Sequence, residues 1–210
     1  MTTDVPGCVK KSRGRPKVFD REDALDKAMA LFWQHGYEAT SLSHLVEATG
    51  AKAPTLYAEF TNKEGLFRAV LDRYITRFVS QHEAQLFASD KPLAQALKDY
   101  MVAIALCYTS KETPQGCFIV TTSSALAASS AKVAEMIRLR HAEQAQTLIT
   151  FLAQRQARGE LSASCQSTVL GNYLSCVVQG MSVSAREGAS FETLEAIINT
   201  SLISLPGVTN

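Results

Sequence analysis

Between residues 20 and 75 apolar residues recur at helical spacing, but every run is cut short by a glycine or a proline. That punctuation demands several short helices packed at angles. Asp20 can cap a helix that begins at Arg21, with Glu22 and Asp23 in the first turn, where carboxylates are favoured. Leu25, Ala28, Met29 and Phe32 follow at i, i+3, i+4 and i+7, and Gly36 supplies a left-handed stop. Thr40 or Ser41 caps a second helix with Leu42, Leu45 and Val46 on its buried face, closed by Gly50. Pro54 suits the first turn of a third helix and could not sit in its interior. A fourth starts near Asn62, where Thr61 and Glu64 have capping-box spacing, and carries Leu66, Phe67, Val70, Leu71 and Tyr74. Two short helices joined by a glycine turn make a helix-turn-helix, whose second helix can lie in a DNA major groove. Alone the pattern is weak, because many bundle corners share it.

From residue 78 onward there is no strand signal, and prolines occur only at 92, 114 and 206. Helical segments are expected over about 92–109, 116–129, 131–158, 166–187 and 191–204, which makes the chain all-α. The segment 131–158 is amphipathic, with Val133, Ile137, Leu148, Phe151 and Leu152 inward and Arg138, Arg140, Glu143, Arg155 and Arg158 outward. The helix that follows is different. Val169, Leu170, Tyr173, Leu174, Val177, Val178 and Met181 leave it little polar surface, while Gly171, Ser175, Gly180 and Ser182 permit close approach of another helix. Such a helix is buried either in the core or against a partner.

The charge is unevenly spread. The 210 residues hold 21 Lys and Arg against 20 Asp and Glu, which speaks against coating DNA by bulk charge. Residues 1–20 nevertheless carry five cations against two carboxylates, concentrated in Lys10-Lys-Ser-Arg-Gly-Arg-Pro-Lys17. This run reads either as a solvated tail or as a flexible arm that places Arg13 and Arg15 in a narrow minor groove. Hydrophobic residues make up 46% of the chain, too many for disorder. The longest apolar run, Tyr100 to Tyr108, is far below the ~20 residues needed to span a bilayer. No signal peptide is evident. Five dispersed cysteines, at 8, 107, 117, 165 and 176, fit reduced thiols in the cytoplasm. Phosphate-loop, dinucleotide, zinc-protease and serine-hydrolase motifs are missing, and the histidines at 35, 44, 82 and 141 are scattered, so a regulator is expected rather than an enzyme. A helical interaction module that does not bind DNA is the alternative of another class.

Four blocks in order carry a family resemblance: Ala30-Leu-Phe-Trp-Gln-His-Gly-Tyr-Glu-Ala-Thr-Ser41, Leu45-Val-Glu-Ala-Thr-Gly-Ala51, Thr55-Leu-Tyr-Ala-Glu-Phe60 and Asn62-Lys-Glu-Gly-Leu-Phe67. Over about residues 18–75 the chain resembles the DNA-binding domain of the TetR family of repressors. The resemblance implies an arm (1–17), a helix-turn-helix domain (18–62) and a helical ligand-sensing and dimerisation domain (63–210). It also implies a homodimer through the last two long helices, addressing half-sites of a palindromic double-stranded operator roughly 34–36 Å apart.

Position by position, the resemblance implies that Thr40 and Ser41 hold a phosphate through hydroxyl and backbone N–H. Lys52, Ala53, Pro54 and Thr55 would face the major groove, and Tyr57 and Lys63 would contact phosphates. The alternative for Tyr57 is a core aromatic. Lys52 stands where the family usually has Ser or Thr, so the third helix loses a side-chain cap worth about 1 kcal/mol, and a phosphate could satisfy its free N–H groups instead. Ala53 and Pro54 offer only apolar contact, which raises the importance of Arg13, Arg15 and Lys17 in the arm.

No cofactor is required, but a repressor of this kind needs a small ligand or metal inducer. Cys107 and Cys117 flank a turn containing Pro114 and Gly116, and converging thiolates would suit Cu(I), with His141 or a methionine completing the set. Thr113-Pro-Gln-Gly-Cys-Phe118, Gln179 to Gly188 and the tail from Cys8 to Asp20 are similar to a copper-responsive member of the family, which implies a copper ion as inducer. Cys8 and Cys176 are further candidates, and simple burial of the thiols is the alternative. The competing inducer is an apolar organic ligand in a pocket lined by Phe118, Leu126, Met136, Tyr173 and Met181.

Overall fold

The computed structural model describes residues 19–123, 130–203 and 205. Among them the regular structure is ten α-helices and one π-helical turn, the all-α architecture expected. The order is α1 (Arg21–Ala39), α2 (Leu42–Thr49), α3 (Ala53–Phe60) and α4 (Lys63–Tyr74), which runs through a π turn (Ile75–Val79) into α5 (Ser80–Ala88). Then come α6 (Leu93–Tyr108), α7 (Phe118–Ser123), α8 (Ala131–Ala157), α9 (Ser167–Arg186) and α10 (Phe191–Ile203).

The local signals act largely as the sequence predicts. The Asp20 carboxylate accepts from the N–H groups of Glu22 and Asp23. Gly36, at φ 80° and ψ 170°, breaks the helical path of α1 three residues before its last residue, a backbone state that costs glycine little. Ser41, not Thr40, caps α2: its Oγ accepts from His44 N–H while the His44 ring reaches back to Ser41 N–H. At the next corner the capping box read from Thr61 and Glu64 is wrong. Thr61 ends α3 at φ 70°, and Asn62 caps α4 by accepting from Gly65 N–H.

Helix α5 has no counterpart in the sequence reading. Leu86 is its only buried residue, so no apolar stripe marks it. Arg155 also departs from expectation. Instead of pointing outward it is 3% exposed, donating to Glu160 at 2.8 and 3.0 Å and to the carbonyls of Ser89 and Lys91. It pins the α5–α6 turn to α8.

Two packing relations place the functional parts. Helix α1 packs on α2, α4 and α7, and α8 pairs most extensively with α9. An aromatic cluster joins both halves: Phe67 of α4 stacks on Phe118 of α7 at 5.6 Å, and Trp33 of α1 meets Tyr74 and Phe118 edge-on at 5.2 and 6.2 Å. Each such pair adds about 0.5–1.5 kcal/mol beyond its area. The helix-turn-helix therefore shares a core with the helices behind it. No helix of the described residues is long and apolar enough to cross a membrane.

Candidate DNA-binding surface and ligand cavity

Leu56 and Phe60 bury one side of α3, and the opposite side is open: Lys52 and Pro54 are exposed, Ala53 and Thr55 half-buried, and Tyr57 is 44% exposed. Tyr57 is thus a surface aromatic rather than a core one. Lys52 makes no side-chain cap. Yet the end of α3 has fewer free N–H groups than expected, because Thr55 and Leu56 N–H both donate to the Lys52 carbonyl, at 2.9 and 3.1 Å, and Pro54 has none. What α3 offers a phosphate is mainly the Lys52 ammonium.

Thr40 and Ser41 part company. Thr40 is fully buried and its hydroxyl donates to the Gly36 carbonyl at 2.7 Å, closing the α1 terminus instead of facing DNA. Ser41 is exposed. Lys63, half-buried, holds its ammonium 4.2 Å from the centre of the Tyr37 ring, a cation–π contact that the sequence did not suggest. Burial lowers the Lys63 pKa, and it pushes the Tyr37 hydroxyl up to about 12, so Tyr37 stays neutral beneath the lysine. Arg13, Arg15 and Lys17 lie outside the described residues.

Behind this surface a cavity of about 150 Å³ sits between the two halves. Its walls are Trp33 from α1, Tyr74 from α4, the π turn, Tyr100 and Tyr108 from α6, and a polar side from α8 with Arg140 and Glu143. A π turn widens the helix locally, and here it turns Ile75, Phe78 and Val79 to the cavity. Cys107 and Cys117 line this one cavity. The Cys107 Sγ lies 3.3 Å from His82 Nε2, and Cys117 Sγ lies 3.4 Å from the Tyr74 hydroxyl. Burial pushes the Cys107 thiol up and the His82 imidazole down, so the pair rests neutral. Trp33 Nε1 and His82 Nδ1 are buried without a hydrogen-bond partner.

His141, the expected third ligand, is not among the residues lining the cavity, although Arg140 and Gln144 of the same helix are, and its buried Nδ1 has no hydrogen-bond partner; His82 holds the position beside Cys107. Helical register alone could not have found His82, because α5 is unmarked. Among the described residues no three of His, Cys, Asp and Glu converge as a ready metal site. Of the residues expected to line an apolar pocket, Phe118, Met136, Tyr173 and Met181 do not line this cavity: Phe118 and Met181 are core, and Tyr173 is 41% exposed. Leu126 lies outside the described residues.

A helix-turn-helix whose second helix stands open to solvent, joined to a helical domain behind it, defines a class of DNA-binding transcriptional regulator. The chain belongs to the TetR family of bacterial regulatory proteins, whose family pattern it matches over residues 24–70. It is 64% identical over 202 residues to the HTH-type transcriptional repressor ComR of Escherichia coli K12, covering 96% of each chain. It is 30% identical to the repressor BdcR of the same organism, over 88% of this chain and 89% of that one. Cysteine-substituted CifR, a TetR family regulator solved with 26-base-pair operator DNA, superposes with a TM-score of 0.86 at 30% identity, covering 92% of this chain and all of that one.

Proposed function

We propose that this protein is a dimeric cytoplasmic repressor, not an enzyme, that binds a palindromic operator and is released when an inducer enters the cavity between α1, α4, α6 and α8. The observation that carries this reading is Trp33: it belongs to the DNA-binding half and lines the cavity. An occupant that displaces Trp33 or Tyr74 would tilt α1 and α4, and with them α3, away from the adjacent groove. The operator complex of CifR supports the DNA part of the proposal.

For the inducer we favour Cu(I). Soft thiolates select it, and both Cys107 and Cys117 reach the cavity. Two thiols fit a low-coordinate soft ion better than a divalent one, consistent with the absence of a three-ligand cluster among the described residues. His82 stands beside Cys107 as its hydrogen-bond partner, not as a third ligand. Binding would release protons from the thiols, and the raised Cys107 pKa makes that affinity rise with pH. The second reading is a small organic ligand. A cavity near 150 Å³ with five aromatic walls suits a ring about the size of benzene, and the free N–H of Trp33 suits one hydrogen-bond acceptor on it.

Selection from a random DNA pool, with and without Cu(I), tests the whole reading. A recovered palindrome that is lost when Cu(I) is added supports it; a pool without enrichment overturns the repressor. Calorimetry with Cu(I) on wild-type and Cys107→Ser/Cys117→Ser protein tests the metal. Equal heats from both proteins remove copper from this cavity and leave the organic ligand.

A further inference from the structure

The outer face of α9 carries a pattern that no packing among the described residues uses. Val169 is 61% exposed, Tyr173 41% and Val183 47%, and Cys176 and Gly180 are exposed between them. These five residues recur at spacings of four, three, four and three, a straight seam along one side of a helix. From Ser167 to Ala185 the helix has no charged residue at all; Arg186 is the first. Large apolar side chains on an exposed helix face without charge mark a surface that is covered by a partner.

The order of residues in the seam says which partner. Read from either end it runs valine, one residue, cysteine, one residue, valine, with Cys176 at its midpoint. In a two-fold contact, residue i meets j and j meets i. An antiparallel pair of α9 helices then sets Val169 against the partner's Val183, and Tyr173 against the partner's Gly180. A Cβ placed on Gly180 meets nothing within 4 Å, so open space lies above it for an aromatic ring. A parallel pair would stack tyrosine on tyrosine and leave glycine facing glycine. Large against small on both sides of the axis favours the antiparallel arrangement.

We infer that α9 packs antiparallel on α9 of a second copy with Cys176 on the two-fold axis, so that the two Cys176 thiols face each other and close to an intersubunit disulfide under a thiol oxidant. Helix axes 8–10 Å apart, with Cα atoms on a cylinder of about 2.3 Å radius, bring facing Cα atoms to roughly 3.5–5.5 Å. That overlaps the disulfide range of about 4.4–6.8 Å. With diamide as oxidant, two S–H bonds break and one S–S bond forms. The two protons and two electrons pass to the N=N bond, which becomes a hydrazine. This inference rests on the dimeric reading above but specifies its register.

Diamide treatment of the full-length protein, read on non-reducing gels, tests it together with sedimentation of the untreated protein. Wild type should convert to a covalent dimer and Cys176→Ser should not. In the Cys176→Ser background, Val169→Cys and Val183→Cys together should crosslink, while either alone should not. Gly180→Phe should dissociate the dimer at concentrations where wild type is dimeric, with its helical content unchanged. A dimer by sedimentation in which Cys176→Ser crosslinks as wild type does, or in which Val169→Cys alone crosslinks, overturns the register and leaves dimerisation standing. A monomer at all concentrations overturns both.

Discussion

The guanidinium of Arg186 in α9 donates to the carbonyl oxygen of Trp33 in α1, at 3.2 Å, and to Thr121 Oγ1 at 2.8 Å. Because Gly36 breaks the helical path, the last carbonyls of α1 lose their intrahelical partners, and a cation there is favoured by the helix dipole as well. The Arg186 side chain ties the helix of the uncharged seam to the helix that enters the cavity. Arg186→Met, which keeps the stem and removes the donors, should cost about 1–2 kcal/mol and lower Tm by about 2–4 °C per kcal/mol. If Cu(I) is the inducer as proposed, it should also shrink the Cu(I)-dependent change in operator affinity, measured by fluorescence anisotropy of labelled DNA.

Three glycines should respond differently to alanine. At Gly116 the backbone sits at φ 79° and a Cβ would lie 2.7 Å from the Ser182 carbonyl, so Gly116→Ala should destabilise by about 1–3 kcal/mol. At Gly171 the Cβ would lie 2.5 Å from Ile149 Cγ1 and 2.9 Å from its backbone nitrogen, forcing α8 and α9 apart at a similar cost of about 1–3 kcal/mol. At Gly180 a Cβ meets nothing within 4 Å inside the subunit, so Gly180→Ala gains about 0.5–1 kcal/mol of helix propensity against any loss of packing with a second copy, and should be the mildest of the three. Urea unfolding of the three variants checks the order.

Tyr57 stands out from α3, so Tyr57→Phe should leave the melting curve unchanged while operator affinity falls about threefold to tenfold, the worth of one hydrogen bond. Removal of residues 1–17 should reduce the slope of log K against log salt by about 0.9 for each phosphate that the arm neutralises. Equal slopes for full-length and truncated protein would show that the arm does not touch the backbone.

Burial lowers the pKa of both His82 and His141. Below the ordinary imidazole value of about 6.5 the unfolded chain binds protons that the folded chain refuses, so stability falls as pH drops through about 6.5. Above it both states are neutral and the contribution is flat. Urea midpoints at pH 7.5 and 5.5 should therefore differ, and His82→Leu/His141→Leu should narrow the difference.

Much of the fold was legible because its signals are local. Asp20, Gly36, Gly50 and Pro54 act within a turn of their own position, and their placement held. Thr40 and Thr61 show where such reading fails. A threonine hydroxyl can cap the next helix or close the previous one, and which it does depends on the path of the chain, here settled by the Gly36 carbonyl within reach of Thr40 Oγ1. The cavity was harder still, because its walls come from five stretches of chain spread between Trp33 and Thr147.

By itself the sequence determined the helical class, the helix-turn-helix pattern and the basic arm as a chemical entity, and it singled out Lys52, Tyr57, Cys107 and Cys117 as candidates without deciding their surroundings. Those follow from periodicity, capping and composition, each read over a few residues. Only the tertiary structure decided that His82 rather than His141 accompanies Cys107, that Arg155 turns inward, and that Trp33 belongs to both the DNA-binding half and the cavity. Such pairings depend on how helices far apart in the chain cross, and that angle is set by the summed packing of all their side chains, which no short stretch of sequence records.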